Sequence, residues 1–135
     1  MREMKESLLI VDDEPLIRTT LSWTLTDCGY SVRTAEDGFS ALIEIRKQIP
    51  DIILSDLNMP GMSGYEFLSV VRRRFPAVPL IAMSGAFCGD EGPSGSAADA
   101  FFQKGCGVRA LLKILEGLPR LERLPDSIAL ARRPS

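Results

Sequence analysis

The 135-residue chain carries 16 basic and 18 acidic residues, three cysteines and no histidine. Its length fits one domain, and 45% apolar with 25% charged residues is the composition of a globular chain. Lack of histidine excludes Ser-His-Asp and Cys-His catalysis, an H-E-x-x-H zinc site and a histidine phosphocarrier, and the near-neutral charge gives no general drive toward nucleic acid or an anionic membrane.

Cys28, Cys88 and Cys106 are widely spaced with no C-x-x-C, so neither a disulfide framework nor a zinc knuckle is indicated. No apolar run approaches the ~18 residues of a membrane span. The N-terminal Met1-Arg2-Glu3-Met4-Lys5-Glu6 is too charged for a signal peptide. A soluble cytoplasmic protein with reduced thiols is expected.

Leu8-Leu9-Ile10-Val11 reads as a buried strand ending at Asp12-Asp13-Glu14. Pro15 suits the first turn of a helix, Leu16, Ile17, Thr20, Leu21, Leu25 and Cys28 keep its 3.6-residue period, and Gly29 fits its stop. Tyr30 to Ala35 alternates like a strand. Ala41, Leu42, Ile45 and Ile49 mark a second helix that Pro50 ends. Ile52-Ile53-Leu54 is a third strand running into Ser55-Asp56, and Leu57 to Gly64, with Pro60, Gly61 and Gly64, is a loop. Phe67, Leu68, Val71 and Phe75 give a third helix stopped by Pro76. Its Arg72-Arg73-Arg74 run reads as a C-terminal charge cluster rather than a nucleic-acid patch.

Leu80 to Met83 is a fourth strand ending at Ser84-Gly85, and Ala100 to Gln103 a fifth ending at Lys104. Phe101 and Phe102 alternate, so one faces each side of the sheet. Val108, Leu111, Leu112 and Leu115 form the last helix. Between Phe87 and Ala98 a helix is expected from the alternation, but Gly89, Gly92, Pro93 and Gly95 oppose it, so it should be short, late or absent. Residues 1–118 read as one domain. Residues 119–135, rich in proline and arginine, read as a flexible tail with no output domain.

Five apolar strands separated by helices imply an α/β fold: a flavodoxin-like three-layer sandwich with a parallel sheet in the order 2-1-3-4-5. Ligands of such sheets bind beyond the carboxyl ends of the strands at the switch point, here between the first and third. Asp12, Asp13 and Asp56 lie just past or at those ends. Three carboxylates that close repel and need a cation, and an all-oxygen set of few ligands suits Mg²⁺. Ser84 and Lys104, at the ends of the fourth and fifth strands, add a hydroxyl and an ammonium suited to phosphoryl oxygens, and an aspartate can accept a phosphoryl group as a nucleophile. Taken singly, each has a plainer reading: Asp12 and Asp13 as caps of the first helix, Asp56 as a turn former, Ser84 as a loop hydroxyl and Lys104 as a surface charge.

Leu8 to Glu14 (LLIVDDE), Ile52 to Gly64 (IILSDLNMPGMSG), Met83-Ser84-Gly85 and Ala98 to Lys104 (ADAFFQK) together resemble the receiver domain of bacterial two-component response regulators, over about residues 5–117. The resemblance implies that Asp56 accepts a phosphoryl group from a phosphohistidine of a sensor histidine kinase or phosphotransfer protein. It implies that Asp12, Asp13, Asp56 and the backbone carbonyl of Asn58 hold Mg²⁺, with Asp13 the more direct ligand than Asp12. Ser84 would then hydrogen-bond the phosphoryl group, Lys104 would pair with it, and Phe101 would be the switch aromatic. Such a chain is a signalling switch that assists its own phosphorylation and dephosphorylation rather than a turnover enzyme. It binds a downstream protein, neither nucleic acid nor membrane, as a monomer or weak dimer.

The chain departs from the family pattern at Gly105, where a proline usually follows the lysine, at Gly85 in place of alanine, at Ala86, and in the glycine-rich 87–98 segment. Gly105 and Gly85 should leave their loops less constrained. These departures keep open a pseudo-receiver that acts as a phosphorylation-independent interaction module. A Mg²⁺-dependent phosphohydrolase needs a further acid two positions after its nucleophile, where this chain has Asn58.

Overall fold

A computed structural model describes residues 6–85 and 97–118. In chain order the elements are β1 (Ser7–Val11), α1 (Pro15–Asp27), β2 (Ser31–Ala35), α2 (Gly38–Lys47), β3 (Ile52–Asp56), α3 (Gly64–Arg74), β4 (Leu80–Ser84), β5 (Ala100–Gln103) and α4 (Val108–Gly117). The strands form one parallel sheet in the order β2-β1-β3-β4-β5, as the sequence pattern predicts. No described helix is long and apolar enough to cross a membrane.

Successive strand residues point to opposite faces, so the continuous apolar strands fill two cores. Leu9, Val11, Ile53, Leu80 and Ala82 face one side, covered by Ala41 and Ile45 of α2 and Phe67, Leu68 and Val71 of α3. Leu8, Ile10, Ile52, Leu54, Ile81 and Met83 face the other, covered by Leu25 of α1 and Leu111 and Leu115 of α4. Phe101 packs on the first side and Phe102 on the second, as their alternation requires. Each fully buried large apolar side chain contributes about 1.5–3 kcal/mol.

Local signals set the helix ends. Asp37 caps α2 by accepting from the Ser40 N–H at 2.7 Å. Ser63 and Glu66 form a reciprocal capping box at the start of α3, an S-x-x-E signal legible in the chain. Gly29, at φ +102°, lets the chain turn after α1.

Two expectations need correction. Leu16, assigned by period to the core face of α1, is 76% exposed, and Cys28 is exposed as well. At about 100° per residue Leu16 falls about 180° from Leu25, on the face turned away from the sheet, and Cys28 lies past the last residue of α1, at its C-cap. Ile49 lies past the end of α2, which stops at Lys47, and is exposed, whereas Pro50 is buried. The 87–98 helix and the 119–135 tail fall outside the described residues, except that Ala97 and Ala98 are not helical.

Candidate functional site at the carboxyl edge of the sheet

α1 covers one face while α2 and α3 cover the other, so a crevice opens where β1 and β3 part at their carboxyl ends. Asp12 follows β1 and is fully buried. Its N–H still donates to the Ala35 carbonyl at 3.1 Å, which continues the sheet register past the strand end. Its Oδ1 accepts from the Glu14 N–H at 2.9 Å, and its carbonyl accepts from Arg18 Nη1 at 2.6 Å. Glu14, not Asp12 or Asp13, occupies the N-cap of α1, and no side chain caps that helix. The plainer capping reading of the two aspartates therefore fails. Asp13 is exposed at the rim.

Asp56 ends β3 and is 3% exposed. The Asn58 N–H donates to its Oδ1 at 3.2 Å, and the loop after it is closed by the Gly64 N–H on the Leu57 carbonyl at 3.0 Å. Gly64 presses so closely that a Cβ would lie 2.0 Å from the Asp56 carbonyl oxygen and 2.5 Å from Leu57 Cα. Only glycine allows α3 to start against the backbone that carries Asp56.

Ser84 ends β4 fully buried, and its Oγ accepts from Asn58 Nδ2 at 3.4 Å. Its carbonyl accepts from the Lys104 N–H at 3.0 Å, which ties the turn after β5 to the end of β4. Lys104 Nζ then reaches Asp12 Oδ2 at 2.9 Å, Glu14 Oε1 at 3.0 Å and Asp56 Oδ2 at 3.3 Å. Gly105 follows at φ +93°, a backbone that proline, locked near −65°, cannot take. The family's usual proline is therefore incompatible with this lysine turn.

The electrostatics follow from this geometry. Burial pushes the Asp56 carboxyl above the ordinary aspartate range, and the charge of Asp12 adds to that; the Asn58 N–H and Lys104 oppose it without cancelling it. Burial pulls the Lys104 ammonium down, but its close approach to Asp12 and Glu14 and the charges of Asp12 and Asp56 outweigh that and hold it above the usual lysine value. Lys104 is charged at any physiological pH.

Asp12, Asp13, Glu14 and Asp56 each offer a carboxylate oxygen within 4.8 Å of the others. Asp12 Oδ2 is fully buried and meets the Lys104 ammonium at 2.9 Å without hydrogen-bond alignment, so the contact is coulombic and lone-pair capacity remains. Four clustered carboxylates, three of them in contact with the Lys104 ammonium, form a hard, oxygen-only donor set that fits Mg²⁺.

The fold thus brings Asp12, Asp13, Asp56, Asn58, Ser84 and Lys104 to one edge. Phe101 stands apart, half-buried in β5 against the α2–α3 core. Sequence reasoning gave no role to Glu14 or Arg18. Glu14 was findable as the third acid of the run past β1; Arg18 was not, since its reach back to the Asp12 carbonyl depends on how α1 is set against the sheet.

A model of the response regulator receiver domain matches residues 8–116. The chain belongs to the response regulator receiver domain family. It is thus a two-component signalling receiver. It is 42% identical over 84 residues to the nitrogen assimilation regulatory protein NtrX of Azorhizobium caulinodans, covering 61% of this chain and 18% of that one. It is 38% identical over 84 residues to the sensor histidine kinase RcsC of Escherichia coli, covering 62% and 9%. The chain spans about a third or less of the length of the curated relatives it matches. Among solved structures, the receiver resembles the chemotaxis protein CheY4 of Vibrio cholerae, with a TM-score of 0.76 at 36% identity over 84% of this chain and 98% of that one. The response regulator TrrA of Thermotoga maritima, solved in complex with Mg²⁺-BeF, gives a TM-score of 0.76 at 32% identity over 84% and 97%.

Proposed function

We propose that this receiver, residues 1–118, takes a phosphoryl group from a phosphohistidine of a sensor histidine kinase or phosphotransfer protein onto Asp56 in a Mg²⁺-dependent reaction, and so switches a protein-interaction surface. The observation that carries this reading is the convergence of Asp12 and Asp56 on Lys104 Nζ, at 2.9 and 3.3 Å. The likeness to NtrX and to a stretch of RcsC supports a two-component donor, and the TrrA complex supports the metal.

The carboxylates of Asp12, Asp13 and Asp56 and the Asn58 carbonyl are the groups that would hold Mg²⁺, which when bound neutralises them and the phosphoryl oxygens. The Asn58 N–H fixes one Asp56 oxygen, so the carboxylate is oriented before attack. An Asp56 oxygen attacks phosphorus; the O–P bond forms as the N–P bond to the donor imidazole breaks. The freed imidazole takes a proton from water. Lys104 transfers its attraction from the carboxylates to the phosphoryl oxygens, and Ser84 Oγ donates to another of them. Both sit on the ends of β4 and β5, so meeting the new group moves those ends and leaves space for Phe101 to turn inward. The phosphoryl group thereby biases a two-state equilibrium.

The test is incubation of the chain with Mg²⁺ and acetyl phosphate. A base-labile, acid-stable label is expected that chelation and Asp56→Asn both abolish. A label that survives Asp56→Asn would overturn the assignment, and no label at all would return the chain to the phosphorylation-independent module. The complete carboxylate and lysine set speaks against that second reading.

A further inference from the structure

Three consecutive arginines close α3, and the fold gives them different surroundings. Arg72 turns inward: Nε and Nη2 donate to the Ala97 carbonyl at 3.2 and 3.0 Å, Nη1 to the Pro76 carbonyl at 3.1 Å, and Nη2 pairs with Asp99 Oδ2 at 2.7 Å. Arg74 instead lines a cleft of about 270 Å³ between α2 and α3, together with Leu42, Ile43, Arg46, Val70 and Phe75.

Neither Arg46 nor Arg74 has a carboxylate partner among the described residues, and both are exposed. The acid nearest Arg46 on α2, Glu44, is taken by Arg33 at 3.3 Å and Lys47 at 3.2 Å. Basic residues in a last helical turn complement the helix dipole. That accounts for two arginines at two helix ends, but not for the apolar surface left open between them, where Ile43 is 56% exposed.

The pairing of features selects a partner. A nucleic acid would engage the guanidiniums and leave Leu42, Ile43, Val70 and Phe75 unburied. A purely apolar segment would desolvate two unpaired charges at a cost. A segment with a bulky apolar side chain between carboxylates satisfies both, since the cleft has room for one such side chain and a guanidinium takes a carboxylate bidentately. We propose that the α2–α3 cleft docks an acidic amphipathic segment of a partner protein, its apolar side chain in the cleft and its carboxylates on Arg46 and Arg74. Helices in parallel crossovers run against their strands, so the arginines lie at the helix ends remote from Asp56, and the proposal does not depend on phosphorylation.

The test uses the full chain and three helix-forming peptides: one with a leucine flanked by glutamates one turn on either side, one with glutamine for glutamate, and one with serine for leucine. The first is expected to shift the methyl resonances of Leu42, Ile43 and Val70, and the other two to bind at least about tenfold more weakly. The double variant Arg46→Glu/Arg74→Glu should lose the first peptide and gain one carrying lysines instead, with its melting curve showing that it is folded. Ile43→Ser, at an exposed position, provides the second arm should the double variant not fold, and should weaken the leucine peptide without changing the serine one. Failure of the first peptide to bind at about 1 mM, equal binding of the leucine and serine peptides, shifts located elsewhere, or duplex DNA binding as tightly at the same methyls would each overturn the proposal.

Discussion

Lys104 Nζ stands 3.3 Å from Asp56 Oδ2, joining the end of β5 to the end of β3 across the intervening β4. The same ammonium is 2.9 Å from Asp12 Oδ2, and both carboxylates are nearly inaccessible to water. Two buried like charges are thus held together by one cation whose position is set by the turn after β5.

Asp56→Asn should stabilise the metal-free protein at neutral pH by roughly 1–2 kcal/mol, since it removes a desolvated charge beside Asp12 while keeping the shape. The folded carboxyl titrates above its unfolded value. Stability from this group is therefore greatest below the unfolded value of about 3.9 and is lost as pH rises through the folded one. The advantage of the variant should accordingly grow with pH across that window and vanish below it. Denaturant unfolding of both proteins from pH 3 to 8 in chelator checks this; a variant equally or less stable throughout would contradict it.

Lys104→Met leaves Asp12 and Asp56 facing each other without their cation. The metal-free variant should lose about 2–4 kcal/mol, less than a fully enclosed pair because Asp56 can take up a proton. The ammonium and a divalent ion draw on the same oxygens, so the variant should bind Mg²⁺ more tightly than the parent and recover stability as the ion is added. Calorimetric titration with Mg²⁺, with parallel melts, measures both effects. Identical Mg²⁺ affinities would show that lysine and metal do not compete.

Gly64→Ala should be among the costliest substitutions in the chain. Its methyl would sit 2.0 Å from the Asp56 carbonyl oxygen, with backbone rather than a yielding side chain in the way. The start of α3 must back away, and Asp56 must move with the loop. A loss of about 2–4 kcal/mol is expected, together with slower phosphorylation by acetyl phosphate. Gly117→Ala, which meets nothing within 4 Å, is the control and should leave both unchanged.

Gly105→Pro restores the residue usual in this family and should nevertheless damage this protein. The native φ of +93° is closed to proline, so the turn must reorganise and the Lys104 ammonium leave its three carboxylates. A loss of at least about 1–2 kcal/mol is expected, with phosphorylation reduced toward that of Lys104→Met. A Gly105→Pro protein as stable and as readily phosphorylated as the parent would show that the lysine turn accepts another backbone.

The order of the sheet, the strand and helix positions, and the meeting of Asp12, Asp56, Ser84 and Lys104 at one edge were legible in the chain. Strand runs such as Leu8–Val11 and Ile52–Leu54 state their own burial, and parallel crossovers leave few orders in which to arrange them. Position along a strand is a one-dimensional property, so residues at strand ends could be assigned to an edge without coordinates. Pairings that depend on how one element is set against another could not. The reach of Arg18 to the Asp12 carbonyl, the share of Lys104 taken by Glu14, the contact of Gly64 with Asp56, and the parting of Arg72 from Arg74 follow from helix rotation and packing distance. Those are set by the joint packing of side chains from distant segments, a three-dimensional constraint that no local pattern of residues contains.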